Sequence, residues 1–355
     1  MKVSFYTLGC RLNQAETAVL QQQCAHQGHT VVDASVPADV VVINTCTVTE
    51  HGDSDTRRLI NKVRRLNEHV RIALVGCQSQ VQSRQLAELP GVHWVIGTAA
   101  KMNLVEILQQ SSEHGPVVVV PEISRSSFTV PVSGIDRSHT RANLKIQDGC
   151  DFFCSYCEIP YARGRACSRE FDDLVREARE LVQAGHRELV LTGINVGLYR
   201  HEGRSIADVV EALHDLPDLL RIRISSIEAM TIPTRLFDFM RQGRLCRFLH
   251  LPLQSGSDAV LKRMHRRYTL AEYSRLVAEA EAAVPGLCLG TDVLVGFPGE
   301  SEADFEQTHE YLRSSAHAYF HMFSYSDRIN NKSRHFADKV APPLIEKRSQ
   351  TLRRL

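Results

Sequence analysis

The sequence predicts an α/β protein in two parts, an N-terminal open parallel α/β sheet domain followed by a partial (βα)6 barrel of the TIM type. Three observations predict it. Short apolar runs alternate with amphipathic helical stretches through the first 110 residues. A tract rich in Ser, Pro and Gly, without a long amphipathic helix, interrupts the pattern over residues 111–140. The alternation then resumes for six or so βα units, which fits a full or partial barrel better than a second flat sheet.

Taken in order, residues 3–7 read as a strand, 14–27 as a helix with Leu20 and Cys24 on one face, and 40–44 as a second strand. A helix over 53–68, a strand over 72–75, a helical segment around 80–88 and a strand over 94–96 follow. Residues 117–120 read as a strand inside the connecting tract. The second domain reads as strands at 143–147, 188–192, 221–225, 248–251, 287–295 and 318–325. Helices are expected at 172–184, 206–214, 234–241, 258–265, 270–283, 302–313 and 346–355. The expected domain bounds are 1–112, a linker at 113–138, and 139–355.

At roughly 100 to 200 residues per domain, a chain of this length holds two domains or three small ones. With 43% hydrophobic and 23% charged residues it lies outside the disordered and collagen-like classes. The 42 Lys plus Arg against 41 Asp plus Glu leave any nucleic-acid partner to be held by local basic patches. Apolar runs such as 40–43 fall far short of the roughly 18 to 20 residues that span a bilayer. The first residues also lack the apolar core of a signal peptide. A cytoplasmic protein with no membrane partner is therefore expected.

Ten cysteines is a high count for a compartment where disulfides are rare and clustered thiols bind metal or do redox chemistry. Cys150, Cys154 and Cys157 form a C-x3-C-x2-C run in a loop after the first barrel strand. Three thiolates leave a tetrahedral zinc site one ligand short, and no second pair follows nearby. A 4Fe-4S cluster with one open iron fits better. Cys10, Cys46 and Cys77 each lie just past a predicted strand, at the carboxyl ends where ligands of such sheets collect. Gly9 and Gly76, directly before two of them, let backbone approach a bulky group closely. These three form a second candidate cluster site, against a reading as small buried hydrophobes. Cys24, Cys167, Cys246 and Cys288 read as background.

The C-x3-C-x2-C run, with Tyr156 just before its last cysteine, resembles the signature of the radical S-adenosylmethionine (SAM) superfamily. With TLGCRLNQAET at 7–17, INTCTVT at 43–49, VGC at 75–77, GCDFFCSYCEIPYARGR at 149–165, LTGINVG at 191–197, HLPLQSGSDAVLKRM at 250–264 and DVLVGFPGE at 292–300, the chain resembles the radical SAM methylthiotransferases. PYARGR at 160–165 and SSIE at 225–228 resemble the MtaB-like branch, which acts on N6-threonylcarbamoyladenosine beside the tRNA anticodon. Glu158, Cys167 and the turn Ile329, Asn330, Asn331 depart from the family pattern.

That resemblance implies two 4Fe-4S clusters and SAM as cofactors. The cluster on Cys10, Cys46 and Cys77 would hold the sulfur to be transferred, methylated by one SAM. A second SAM, at the cluster on Cys150, Cys154 and Cys157, would supply a 5′-deoxyadenosyl radical that starts attack on the adenine ring. Thr192, Gly193 and Asn195 resemble the family's loop for the SAM amino group, Tyr156 belongs with the same cofactor, and Glu228 would hold a ribose hydroxyl or the amine. Loop capping is the competing reading of Asn195 and Glu228. The turn at 296–300 lacks the Lys-Ser/Thr of a triphosphate site and is expected near the SAM adenine.

The implied partners are tRNA, through its anticodon stem-loop, a reductase or flavodoxin-type electron donor, and a sulfur donor. Arg163 and Arg165 are expected to grip phosphate or stack on a base. Further basic patches at Arg57, Arg58, Lys62, Arg64 and Arg65, at Lys262, Arg263, Arg266 and Arg267, and at Lys347, Arg348, Arg353 and Arg354 read mainly as solvated helix faces. Family members usually continue into a TRAM RNA-binding domain, for which these 355 residues leave no room. The alternatives are another methylthiotransferase substrate, isopentenyladenosine tRNA or a ribosomal-protein aspartate. A non-catalytic iron-sulfur electron carrier or zinc-stabilised RNA-binding module is the alternative of a different class.

Overall fold

The computed structural model describes residues 1–110, 115–136 and 139–355. Of the expected linker, residues 113, 114, 137 and 138 lie outside the described residues. The chain divides into two compact units, one of residues 1–150 with 158–194, the other of 151–157 with 195–355.

The first unit begins with β1 (Lys2–Thr7), α1 (Arg11–His26), β2 (Thr30–Val32), β3 (Val40–Thr45), α2 (Glu50–Leu66) and β4 (Arg71–Gly76). It continues through α3 (Cys77–Val81), α4 (Ser83–Ala87), β5 (Val92–Ile96), α5 (Leu104–Leu108) and β6 (Val117–Val119). These strands form one parallel sheet in the order β2-β1-β3-β4-β5-β6. β3 is buried along its whole length, which is why it reads as a continuous apolar run rather than an alternation. Successive strand residues feed opposite faces. Val40, Val42, Ala73 and Val75 pack with Leu20 and Cys24 of α1 and Leu104 and Leu108 of α5, while Val41, Ile43, Ile72 and Leu74 pack with Ile60 and Val63 of α2 and Leu86 of α4.

The apolar run in the connecting tract joins this sheet as its edge strand, β6, beside β5. The strand is local, but its place at the edge of this sheet is set by backbone hydrogen bonds to β5, which composition does not report. β2 and α5 are too short for a periodic signal. The expected segment at 80–88 is two short helices, because the first starts at Cys77 itself and breaks at Gln82.

The same unit holds β7 (Arg141–Lys145), β8 (Gln147–Asp148), α6 (Ile159–Arg163), β9 (Cys167–Ser168), α7 (Phe171–Gln183) and β10 (Glu188–Thr192). β7 and β10 pair in parallel from Arg141 opposite Glu188 to Lys145 opposite Thr192. In the second unit come α8 (Ile206–His214), β11 (Arg221–Ile224), α9 (Arg235–Gln242), β12 (Phe248–His250), α10 (Asp258–Arg263), α11 (Leu270–Ala283), β13 (Cys288–Val295), α12 (Glu302–Ser314), β14 (Tyr319–Ser324) and α13 (Pro342–Arg353). β12, β13 and β14 form a parallel sheet in that order. Capping boxes start three of these helices, with Ser205 and Asp208 on α8, Thr269 and Glu272 on α11, and Ser301 and Asp304 on α12. No helix among the described residues is long and apolar enough to cross a membrane.

His317, just before β14, accepts or donates at Nε2 to the Tyr273 hydroxyl at 3.0 Å and at Nδ1 to Ser315 at 2.9 Å. Burial, with a smaller contribution from His250, pushes its pKa down to about 4. The unfolded chain therefore binds the proton first, so stability falls as pH drops from about 6.5 towards 4. Urea unfolding should show His317 contributing roughly 1 to 2 kcal/mol of the loss between pH 7 and pH 5. The His317→Gln variant should lack that part of the pH dependence, and an unchanged slope would remove His317 as its source.

Candidate active site

Open sheets of this order bind ligands where the strand order reverses, here between β1 and β3. Cys10 follows β1, Cys46 follows β3 and Cys77 follows β4, so all three lie on the carboxyl rim at that reversal. Gly9 has a φ of +97°, and a Cβ there would stand 2.8 Å from the Cys46 Cβ and 2.9 Å from its Sγ. Gly76, at +96°, is closed in by Asn44 and Thr45 in the same way. Each glycine is thus required by the approach of one cysteine segment to the next. Asn13, fully buried on α1, donates to the Leu8 carbonyl at 2.7 Å and the Thr45 carbonyl at 3.0 Å, tying the Cys10 and Cys46 segments together.

Burial pushes the Cys46 thiol up to about 11 and raises that of Cys77, with smaller contributions from the neighbouring thiols. Beneath them lies a buried charge network. Arg163 donates through Nε to the Cys77 Sγ at 3.1 Å, through Nη1 to Glu16 and Asp148 at 3.0 Å, and through Nη2 to Asn13 at 2.6 Å and Glu16 at 3.1 Å. Lys101 pairs with Glu16 at 2.5 Å, and Lys145 reaches Glu16 at 2.8 Å and Asp148 at 2.5 Å. Although burial would raise it, the Glu16 carboxyl is held well below the usual range by Arg163, Lys101 and Lys145. Burial pushes Lys101 down to about 8, against the pull of Glu16.

Three cations thus face two carboxylates under three thiols, an excess of positive charge suited to thiolates carrying a bound iron-sulfur group. The thiol set and this surplus fit a 4Fe-4S cluster. Arg163 does not meet its expected role as an RNA contact. Its side chain is completely buried and its donors are committed to Cys77, Asn13, Glu16 and Asp148. The partners lie 15 to 150 residues away in sequence, so the local motif could not reveal them. Arg165 is exposed and keeps a surface position.

In the C-x3-C-x2-C loop, the Cys150 N–H donates to the Gly164 carbonyl at 3.1 Å and the Cys157 N–H to the Cys154 carbonyl at 3.0 Å. Gly149, at φ +66°, leaves no room for a Cβ against the Arg165 carbonyl. Ser155 anchors the other half of the loop, its N–H donating to the Met264 carbonyl at 3.0 Å and its hydroxyl to the Arg263 carbonyl at 2.9 Å. Asn331, from the turn that departs from the family pattern, donates to the Tyr156 carbonyl. The Tyr156 ring meets Phe297 edge-on at 6.5 Å, and burial raises its hydroxyl pKa.

Arg266 approaches the Cys154 Sγ at 3.5 Å, pairs with Glu228 and donates to the Tyr268 hydroxyl at 2.9 Å. It is buried, so this member of its basic patch is a partner of the cysteine loop rather than a solvated face. Arg348 is buried too, held by Glu300 at 2.7 Å and Glu302 at 2.9 Å. Glu300 in turn accepts from the Gly296 N–H at 2.7 Å, closing the turn at 296–300.

At the end of β10, the buried Thr192 Oγ1 has no hydrogen-bond partner among the described residues, an opening for a polar ligand group. Gly193 packs against Gln147, where a Cβ would meet its carbonyl oxygen at 2.9 Å. Gln147, which the sequence reading passed over, accepts from the Ile194 N–H at 3.0 Å and donates to the Gly149 carbonyl at 2.8 Å. It thereby couples the loop after β10 to the start of the cysteine run. Asn195 is buried, with its Oδ1 3.3 Å from the Thr231 hydroxyl, and Glu228 is committed through Oε2 to Arg266.

Residues 144–312 match the family model described as Radical SAM superfamily, and residues 2–97 match Uncharacterized protein family UPF0004. Over 347 residues the chain is 38% identical to the threonylcarbamoyladenosine tRNA methylthiotransferase MtaB of Bacillus subtilis (strain 168), covering 95% of this chain and 76% of that one. The enzyme of the same name from Aquifex aeolicus (strain VF5) is 38% identical over 354 residues, covering 98% and 85%. A tRNA-2-methylthio-N(6)-dimethylallyladenosine synthase of Dehalococcoides mccartyi (strain ATCC BAA-2100 / JCM 16839 / KCTC 5957 / BAV1) is 36% identical over 352 residues, covering 97% and 79%. Among solved structures, the radical SAM methyltransferase TsrM from Kitasatospora setae shares the fold at a TM-score of 0.65 and 17% identity, covering 91% of this chain and 74% of that one. The expected cofactors, SAM and 4Fe-4S clusters, agree with these matches. The chain is a transferase and belongs to the radical SAM methylthiotransferase family.

Proposed function

We propose that this enzyme converts N6-threonylcarbamoyladenosine beside the tRNA anticodon to its 2-methylthio derivative, with one 4Fe-4S cluster on Cys10, Cys46 and Cys77 and a SAM-binding one on Cys150, Cys154 and Cys157. The observation that carries this reading is the convergence of the first three thiols over a cationic network, in a chain that also holds the C-x3-C-x2-C loop. Two of the relatives described above, each 38% identical, bear the name of that activity.

The adenine carbon has neither an acidic proton nor a leaving group, so acid-base chemistry does not serve, and the bound cofactors supply radical and sulfur chemistry. The residues of the chain bind and orient. Buried thiols with raised pKa would give up their protons to solvent only when iron takes their place on sulfur, and the Arg163 guanidinium at the Cys77 sulfur would balance the charge that results. Thr192 offers its hydroxyl to a polar group of SAM, and Arg266 holds Glu228 beside Cys154. Arg165, exposed after α6, is placed to meet RNA phosphate. The proposed partners are tRNA, a reductase or flavodoxin-type electron donor and a sulfur donor, in the cytoplasm.

Mass spectrometry of tRNA nucleosides tests the substrate. A deletion strain should lose 2-methylthio-N6-threonylcarbamoyladenosine and accumulate its unthiolated precursor, with 2-methylthio-isopentenyladenosine unchanged. Persistence of the first product, or loss of the second in its place, would overturn the assignment.

A further inference from the structure

A second constellation of metal-ligating side chains, containing no cysteine, lies wholly within the second unit. His250 ends β12, Asp292 is in the middle of β13 and His321 is on β14, where Asp292 and His321 are register partners. Because the three strands are adjacent and parallel, their side chains converge on one face. The His250 Nε2 lies 2.9 Å from the Asp292 Oδ1, and the His321 Nδ1 lies 3.4 Å from the same oxygen. One ligand atom from each residue falls within 4.8 Å of the others, and the two imidazoles stack at 5.3 Å between centroids.

We propose that His250, Asp292 and His321 bind a first-row divalent cation, a centre additional to the iron-sulfur clusters. Two ring nitrogens aimed at one carboxylate oxygen are a donor set that a divalent ion satisfies with all three groups ligating at about 2.0 to 2.2 Å. Two histidines and one carboxylate, without sulfur, select a first-row ion such as zinc, manganese or iron, and leave positions open on the metal. The site also has an orienting shell. The Tyr319 hydroxyl lies 3.1 Å from the His250 Nδ1, which fixes that ring with Nε2 towards Asp292. Access is graded, since His250 is nearly enclosed while the His321 side chain is 59% exposed. His321 can therefore turn by the few tenths of an ångström that equal metal distances require. Next to it, Gly290 faces Tyr319 so closely that a Cβ would collide with the phenol ring, and this keeps Tyr319 in place against His250.

The test uses anaerobically reconstituted holoenzyme, whose cysteines are taken by iron and whose oxidised clusters are diamagnetic. Mn2+ is the probe, because its six-line electron paramagnetic resonance signal in solution disappears on binding and thiolates compete poorly for it. Titration should remove the signal of one Mn2+ per chain, and added Zn2+ should restore it. His321→Ala, at an exposed position, and the isosteric Asp292→Asn should each weaken binding by more than about tenfold. An undiminished signal with wild-type protein, or attenuation that survives both substitutions, would overturn the site. Methylthio transfer does not enter this measurement, so its outcome is independent of the proposed substrate.

Discussion

Replacing Cys150, Cys154 and Cys157 by alanine should abolish reductive cleavage of SAM, whereas replacing Cys10, Cys46 and Cys77 should leave cleavage intact and stop methylthio transfer. Each triple substitution removes the three proposed protein ligands of one cluster, so iron should fall from about eight to about four per chain in either case. The two effects separate because the thiol sets stand in different settings. Cys10, Cys46 and Cys77 sit on the rim of a six-stranded sheet, braced by Asn13 and the Arg163 network. The C-x3-C-x2-C loop is instead anchored by Ser155 and Asn331 and has Arg266 at Cys154. Single-turnover assays for 5′-deoxyadenosine and for modified nucleoside read the two activities apart. Product from the Cys10, Cys46 and Cys77 variant, or cleavage by the other, would refute the division of labour. Zinc in place of iron in the reconstituted protein would favour the non-catalytic alternative.

Arg163→Met should destabilise the first unit by about 3 kcal/mol, because removing one partner of a buried ion network leaves uncompensated charge in a dry site. Glu16 keeps Lys101 at 2.5 Å and Lys145 at 2.8 Å, which holds the loss near the low end of the range for buried pairs. Asp148 keeps only the contact with Lys145 among the cations named here. At roughly 2 to 4 °C per kcal/mol for a unit of this size, Tm should drop by about 6 to 12 °C. Arg163→Lys restores the charge without the planar fork and should recover part of the loss. Arg165→Ala, at an exposed position, should leave stability within about 0.5 kcal/mol of wild type while weakening tRNA binding and flattening its salt dependence. Equal Tm for wild type and Arg163→Met would show that the network does not hold the unit together.

Much of this chain was legible one segment at a time. Strands such as Glu188–Thr192 and helices such as Ile206–His214 and Leu270–Ala283 announce themselves by apolar period and capping residues, both local properties. The C-x3-C-x2-C run is local as well, since eight residues of loop confine three thiols to one neighbourhood whatever surrounds them. Cys10, Cys46 and Cys77 were legible only through the regularity of the fold, because each follows a strand of one parallel sheet. The short elements β2 and α5 gave no such signal, being held by neighbours rather than by pattern.

What the sequence by itself determined is the chemistry available: six cysteines in two sets, glycines beside them, and an α/β chain to carry them. Tertiary structure alone decided which charges serve that chemistry. Arg163, Arg266 and Arg348 look like surface cations in the sequence, and all three are buried against carboxylates. Likewise, no local spacing marks His250, Asp292 and His321 as one set, since they are 71 residues apart end to end and meet only because β12, β13 and β14 lie side by side. A charge pair is decided by the Coulomb and desolvation energies of atoms a few ångströms apart, and separation along the chain does not report those distances.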